Sequence, residues 1–397
     1  MPRAVVVLPS TTYRAGDFVN AATSLGVDLV VASEHPPPFE MGDNYLQIDC
    51  SDPEEAARQV AALGDDVPLD GVVAADDSGV VVAALAGSAL GLAANEPGAA
   101  AATRDKWLMR QRLANGEVPQ PEFSLLTIDH EPTIDIPYPV VVKPLDRSAS
   151  QGVIRIDHPS HLADTLDRVR RIIDDAQAPL LVESYMPGPE VAVEGLISDG
   201  ELTVLAIFDK PDTTDGPAFP ETIFVTPSRL AESVQTETIR VADAAVRSLG
   251  LTHGPVHIEL RIEDGRPKII EIAARSIGGL CSRSLNFGLM GTSLETLILR
   301  NAIGMEKPEL KREPHASGVL MIPTPASGRL QDFEGLDDVR LIDGVTGLDL
   351  TVQPGSEVLA PPEGDRYLGF VYASAKTPES VENALRTAMD TIVVKIQ

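Results

Sequence analysis

The residues with the plainest chemical content lie in Val256-His257-Ile258-Glu259-Leu260-Arg261-Ile262, a strict alternation of apolar and polar side chains. Glu263-Asp264-Gly265-Arg266-Pro267 follows, and then a second run from Lys268 to Arg275. Period-two alternation predicts a half-buried strand, and the turn at Gly265 folds the two runs into a hairpin. With that turn as centre, Glu259 and Glu271 face each other with Cβ atoms about 5 Å apart. Opposed carboxylates repel, so a cation or a shared proton must offset the repulsion. A hard divalent ion fits, since Mg²⁺ takes one or two carboxylates together with water and phosphate oxygens. His257 and Arg261 share the face of Glu259, and Ala273 and Arg275 that of Glu271. The other face, Val256, Ile258, Leu260, Ile262, Ile270 and Ile272, is apolar. A solvated face of paired Glu and Arg is the bland alternative. Against it stand the apolar opposite face and the run Arg275-Ser276-Ile277-Gly278-Gly279, whose glycines let backbone amides approach an anion.

Two further stretches could handle phosphate. Val140-Val141-Val142-Lys143-Pro144 reads as a buried strand ending in a lysine, and Ser148-Ala149-Ser150-Gln151-Gly152 follows as a loop rich in hydroxyls and amides. Lys143 would act as a point charge on phosphate oxygens while the loop closes over them and excludes water. Lys106, in the first turn of a helix capped by Thr103, is bland when taken alone, as is a lysine at a strand end. Pro179 to Glu190 reads as a buried strand, a Pro/Gly-stiffened connector and the start of another strand, a hinge between two lobes. Its backbone groups suit the edge of a flat heterocycle, and Glu190 suits ribose hydroxyls.

The elements that must position these groups follow from pattern. Ala4 to Leu8, Leu29 to Ala32 and Gly71 to Ala75 are short apolar runs alternating with helical stretches such as Pro53 to Leu63, as in a buried parallel sheet. Asp76-Asp77-Ser78 lies between a strand and the helix Gly79 to Leu90, either as helix caps or at the sheet edge where open α/β folds bind ligands. From about Asn95 the texture turns to hairpins: Tyr138 to Lys143 with Gly152 to Asp157, and Glu190 to Ser198 with Glu201 to Phe208. A last segment from Ser317 holds turn-rich strands and a helix from Pro378 to Thr391. GxGxxG after the first strand, GxxxxGK[ST], HExxH and GxSxG are all absent.

Composition bounds the function classes. The 397 residues are 43% hydrophobic and 23% charged, an ordinary globular make-up. Thirty-two Lys and Arg against 59 Asp and Glu leave a net charge of −27, a field that repels nucleic acid and anionic membranes. An anionic substrate must therefore be held by a few locally focused cations. Two distant cysteines, Cys50 and Cys281, supply neither a disulfide framework nor a CxxC pair, and the expected location is a reducing cytoplasm. No apolar run reaches the length of a membrane span.

In order and spacing, Lys106, Val-Val-Val-Lys143-Pro, Ser148 to Gly152, the Glu183 hinge and the Glu259/Glu271/Arg275 hairpin resemble the ATP-grasp superfamily over roughly Thr103 to Met305. Gly188-Pro189-Glu190-Val191-Ala192-Val193-Glu194-Gly195, Gly254 to Glu259 and Ser317-Gly318 look like its L-amino acid ligase (dipeptide synthetase) branch. The resemblance implies an α/β and α+β multidomain chain. Residues 1–97 would form a Rossmann-like domain, 98–305 the two-lobed ATP-grasp domain with a lid lobe at about 118–189, and 306–397 a small α+β domain. It also implies ATP as substrate and Mg²⁺, or Mn²⁺ in its place, as the metal. Lys106 and Lys143 would bind phosphates, Ser148, Ser150 and Gly152 would belong to the lid loop, and Glu183 and Met186 to the adenine hinge. Glu190 would take the ribose, Glu259 and Glu271 the metal, and Arg275, with His257 beside it, the transferred phosphoryl group. Ala273 departs from the pattern, since many members carry Asn there, and this bears on a second metal. The implied reaction activates a carboxylate as an acyl phosphate and joins it to an amine. Expected partners are a small-molecule carboxylate and an amine, with no nucleic acid and no membrane; a homodimer stays open. The alternatives are a biotin-carboxylase-like or purine-biosynthetic ligase and a nucleotide-binding module without turnover.

Overall fold

A computed structural model describes residues 1–9, 12–36, 42, 44–127, 134–212, 215–288, 291–306 and 312–397. The chain opens with a four-stranded parallel sheet in the order Tyr45–Gln47, Asp28–Ser33, Arg3–Val7, Gly71–Ala74. Its apolar strands are buried between helices Ala15–Leu25, Pro53–Asp66 and Val80–Leu90. Local chemistry fixes the helix ends: the Asp52 carboxylate accepts from the Glu55 N–H with Pro53 in the first turn, while Gly26 and Gly91 close their helices at φ 65° and 66°.

The expected helix start at Thr103 is corrected. Thr103 ends a short helix, Pro97–Ala102, and the next helix, Lys106–Asn115, is capped by Asp105, which accepts from the N–H groups of Trp107 and Leu108. A carboxylate satisfying two free N–H groups outcompetes a hydroxyl two residues earlier. Lys106 keeps its place in the first turn.

The lobe that follows is an antiparallel sheet in the order Phe123–Leu126, Leu180–Ser184, Val140–Pro144, Ile154–Ile156, backed by the helix Leu162–Ile172. Val140, Val142, Leu180, Val182, Leu166 and Val169 form its separate core. The connector from Ser184 to Glu190 leads into the central sheet, eight antiparallel strands in the order Arg266–Ala273, Gly254–Glu263, Glu190–Ser198, Glu201–Lys210, Ile223–Thr226, Ala316–Ile322, Gly369–Ala375, Val345–Leu350. The C-terminal segment thus contributes three strands to the sheet that carries the hairpin. Its helix Pro378–Thr391 packs beneath them, and Glu357–Val358, Gly328–Glu334 and Val393–Ile396 make a small sheet of their own. The helix Glu232–Leu249 packs behind the hairpin, where Val241, Ala245 and Leu249 meet Ile258 and Ile272 in the main core.

The hairpin register holds a bulge. Next to the Asp264-Gly265 turn the pairs are Glu263↔Arg266, Arg261↔Lys268 and Leu260↔Ile269; one extra residue, Ile270, then shifts the register so that Glu259 pairs with Glu271. A plain count from Gly265 therefore meets the right pair only because the bulge restores it. The bulge also corrects the faces. Ile269 is the buried core residue, while Ile270 turns to the polar side and lines the cavity below. No helix among the described residues is long and apolar enough to cross a membrane.

Candidate active site

Two adjoining spaces open between the lobes. The first is lined by Lys106, Lys143, Ser150, Glu183, Met186, Glu190, Glu259 and Glu271, with Val141, Tyr185, Phe219 and Ile270 as apolar walls. The second, holding about 530 Å³, is lined by Ser148, His257, Arg275, Gly278 and Gly279 together with Tyr13, Asp76 and Asp77 of the N-terminal sheet edge. Arg147, Ser150, Glu221, Glu259 and Glu271 line both. Gly152 lines neither: its N–H donates to the Pro362 carbonyl at 2.9 Å. That amide is directed at the C-terminal segment and away from the first space.

Glu271 Oε1 accepts from Lys106 Nζ at 3.0 Å. Glu259 Oε1 lies 3.4 Å from both Lys210 Nζ and His257 Nε2. Burial pushes the Glu259 carboxyl up, but Lys210 and His257 outweigh it and hold it well below the usual range. Among the described residues no group of three or more His, Cys, Asp and Glu stands ready to hold a metal. Two opposed carboxylates on a sheet face, beside a cavity with room for phosphates, are the donor set Mg²⁺ accepts when water and phosphate supply the rest. The lysines now on those oxygens supply the positive charge the pair requires.

Lys210 is the centre that sequence reasoning missed. Its ammonium meets Glu190, Glu221 at 2.8 Å and Glu259. Burial would lower its pKa, yet the three carboxylates drive it well above the usual lysine value. The signal was present: Phe208-Asp209-Lys210-Pro211, an apolar strand ending in Lys-Pro, repeats the pattern of Val142-Lys143-Pro144. Glu221, whose Oε2 accepts from the Tyr367 hydroxyl at 2.7 Å, carried no such mark.

At the hinge, side chains and backbone groups alike have partners within the chain. Glu183, 2% exposed, accepts from Arg110 Nε at 2.5 Å and lies 2.6 Å from Lys143 Nζ. Burial raises its carboxyl, but Arg110 and Lys143 outweigh that and set it at about 2. Its carboxylate anchors Lys143 on the wall of the first space. The Tyr185 N–H donates to the Pro139 carbonyl at 3.0 Å and the Met186 carbonyl accepts from Arg261 at 2.8 Å. Glu190 also meets Arg261, at 3.2 Å. The loop Ser148 to Gly152 takes left-handed backbone at Ala149, Ser150 and Gly152, with φ of 52°, 57° and 71°.

Asp77 ties the second space together. It accepts from Arg275 at 2.9 Å and from the Ser148 hydroxyl at 2.8 Å, and Arg104 lies 3.4 Å away. Burial would raise its pKa; Arg275, Arg104 and Ser148 hold it far below the usual carboxylate range. Asp76 caps the short turn Asp77–Gly79 by accepting from the Asp77 N–H, whereas the helix Val80–Leu90 takes no side-chain cap, and both Asp76 and Asp77 lie on the wall of the second space. His257, 6% exposed, is held between Glu194 at 3.0 Å and Glu259. Burial pulls its pKa down, but these hydrogen bonds raise it to about 9, so the ring is cationic at neutral pH.

Comparison with known proteins adds three matches along the chain: an ATP-grasp N-terminal domain over residues 19–93, an ATP-grasp domain over 136–284 and L-amino acid ligase C-terminal domain 2 over 320–397. Alanine–anticapsin ligase of Bacillus subtilis is 27% identical over 249 residues, 57% of this chain and 52% of that protein, so the chain spans about half its length. The crystal structure of an L-amino acid ligase from Bacillus licheniformis superposes with a TM-score of 0.83 at 25% identity, covering 100% of this chain and 99% of that one. A carboxyaminoimidazole ribonucleotide synthase complexed with ATP shares the fold, with a TM-score of 0.77 at 17% identity over 98% of both chains. With its three parts so matched, the chain carries ATP-grasp domains followed by an L-amino acid ligase C-terminal domain and is similar throughout to the L-amino acid ligases.

Proposed function

We propose that the protein uses ATP to join the carboxylate of one amino acid to the amine of another substrate, releasing ADP and phosphate. The observation that carries this reading is the sharing of Glu259, Glu271, Arg147 and Ser150 by two spaces. A reaction that hands a phosphoryl group from nucleotide to carboxylate needs such a boundary. The carboxylate oxygen attacks the terminal phosphorus, ADP leaves, and the resulting acyl phosphate is attacked at carbon by the amine nitrogen. The amine loses its proton and phosphate departs.

Little covalent work falls to the protein, because phosphoryl transfer is governed by positioning and charge. Lys106 and Lys143 lie in the first space, where they would hold phosphate oxygens, and the Glu183 anchor keeps Lys143 from swinging into solvent. Arg275 and Arg104 face the second space and would neutralise charge on the transferred group, with Asp77 fixing their orientation. Glu259 and Glu271 would hold Mg²⁺, which would supply positive charge to offset that of the phosphates. His257⁺, fixed by Glu194, orients Glu259. Ser148 bonded to Asp77 draws the lid loop onto the N-terminal sheet, which keeps water from the acyl phosphate.

The test is a screen of amino acids, singly and in pairs, with ATP and Mg²⁺, reading ADP, phosphate and amide product together. Product formation supports the reading. Nucleotide binding without turnover for every pair would leave a regulatory nucleotide-binding module in its place, and ADP release with bicarbonate alone would favour a carboxylating ligase.

A further inference from the structure

Four guanidinium groups line the second space, and their partners differ. Arg275 and Arg104 converge on Asp77, and Arg147 lies 3.7 Å from Asp146. Arg366 makes no ion pair with any described carboxylate, its chain neighbour Asp365 included. In a chain of net charge −27, acids are plentiful. A guanidinium left without one on a cleft wall is a place for an external anion.

Its backbone is held on both sides. The Gly152 N–H and the Gln151 side-chain amide of the lid loop donate to the carbonyls of Pro362, at 2.9 Å, and Glu363, at 3.0 Å. Arg168 of the lid helix lies 2.6 Å from the Glu363 carboxylate. On the other side, Tyr367 donates to Glu221, and its carbonyl accepts from the Thr351 hydroxyl at 2.8 Å. Segment 360–367 thus bridges the lid and the central sheet, with Arg366 at the cleft between them. Tyr13 is close enough for the charge of Arg366 to bear on its phenol.

Arg366 lines the second space and not the first, whereas a carboxylate about to be phosphorylated must sit at their shared boundary. We propose that Arg366 binds the carboxylate of the amine-bearing substrate, which makes that substrate a free amino acid or the acid end of a peptide and not a simple amine. This rests on the ligase reading above. Specificity for the acceptor would then be set by the C-terminal segment, and the acceptor site would be complete only when the lid loop has met that segment.

The test takes the amino acid that serves best as acceptor in the pairwise screen and compares it with its carboxamide. Wild-type protein should use the carboxamide at least about tenfold less efficiently, a charge-assisted contact discounted for its exposure. Arg366→Gln should raise the acceptor KM by about tenfold, leave the ATP KM unchanged and abolish the difference between acid and carboxamide, while Arg366→Lys restores part of it. Equal use of acid and carboxamide by the wild type, or an Arg366→Gln effect equal for both, would overturn the assignment. If wild type makes no amide from any pair, the ligase reading itself falls and the assignment falls with it.

Discussion

Replacing Glu183 by Gln keeps the shape of the side chain and removes the negative charge on which two buried cations converge. The carboxyl is held at about 2, against 4.5 in a free chain, because Arg110 and Lys143 outweigh the cost of its burial. A folded value below the unfolded one adds stability that is complete above about pH 4.5 and is lost as pH falls through about 2. That interval is worth about 3 kcal/mol at pH 7 and about 2 kcal/mol at pH 3.5. Urea unfolding of wild type and Glu183→Gln at both pH values measures it directly. The variant should be less stable by about 3 kcal/mol at neutral pH, or somewhat more because two cations stay buried, and the deficit should shrink by about 1 kcal/mol at pH 3.5. The ATP KM should rise as well, since Lys143 loses its anchor. An unchanged deficit across the two pH values would refute the clamp as the source of the depressed pKa. A fully stable variant with a raised ATP KM would return Glu183 to direct nucleotide contact.

Glu271→Gln should leave the fold intact and remove nearly all turnover, because it neutralises one of two opposed carboxylates and loosens Lys106; circular dichroism beside steady-state ADP release checks both. Arg275→Lys should keep nucleotide affinity near wild type while lowering kcat roughly 10²-fold, since a single ammonium cannot hold Asp77 and also fork onto a phosphoryl group. Calorimetry with ADP separates that outcome from simple loss of binding. Gly188→Ala should cost more than about 2 kcal/mol, since φ is 102° and an added Cβ would lie 2.1 Å from the Ile262 carbonyl oxygen. Thermal melts read this cost, and a variant with wild-type Tm would show that the hinge has slack.

What was legible in the sequence is what local pattern can carry. Alternation exposed the hairpin and the pairing of Glu259 with Glu271, because period two puts charged residues on one face whatever the rest of the chain does. The bulge was not legible: which residue is extra depends on whether Ile269 or Ile270 meets the helix Glu232–Leu249, a contact set by tertiary packing. Asp105 shows the limit of cap reading, since both Thr103 and Asp105 are acceptable caps; the Asp105 carboxylate takes two N–H groups, and the Leu145 carbonyl past the strand end, out of reach of any local rule, takes the Lys106 N–H. Pattern places Asp77 at a sheet edge, but its three partners lie 27, 71 and 198 positions away, beyond any local rule. Sequence shows Glu183 only by its place at the end of a strand, and its carboxylate is held by Arg110, a helix residue with no motif of its own.

The central proposal is that a carboxylate oxygen is phosphorylated at the boundary marked by Glu259 and Glu271, with Arg275 beside it in the second space. Label the carboxylate of the accepted acid substrate with ¹⁸O, run the reaction to completion with ATP, Mg²⁺ and the amine partner, and weigh the released phosphate by mass spectrometry. One ¹⁸O per phosphate, matched by one ADP and one amide, is the expected result. Label appearing in AMP, or retained wholly in the amide and water with none in phosphate, would contradict an acyl phosphate route.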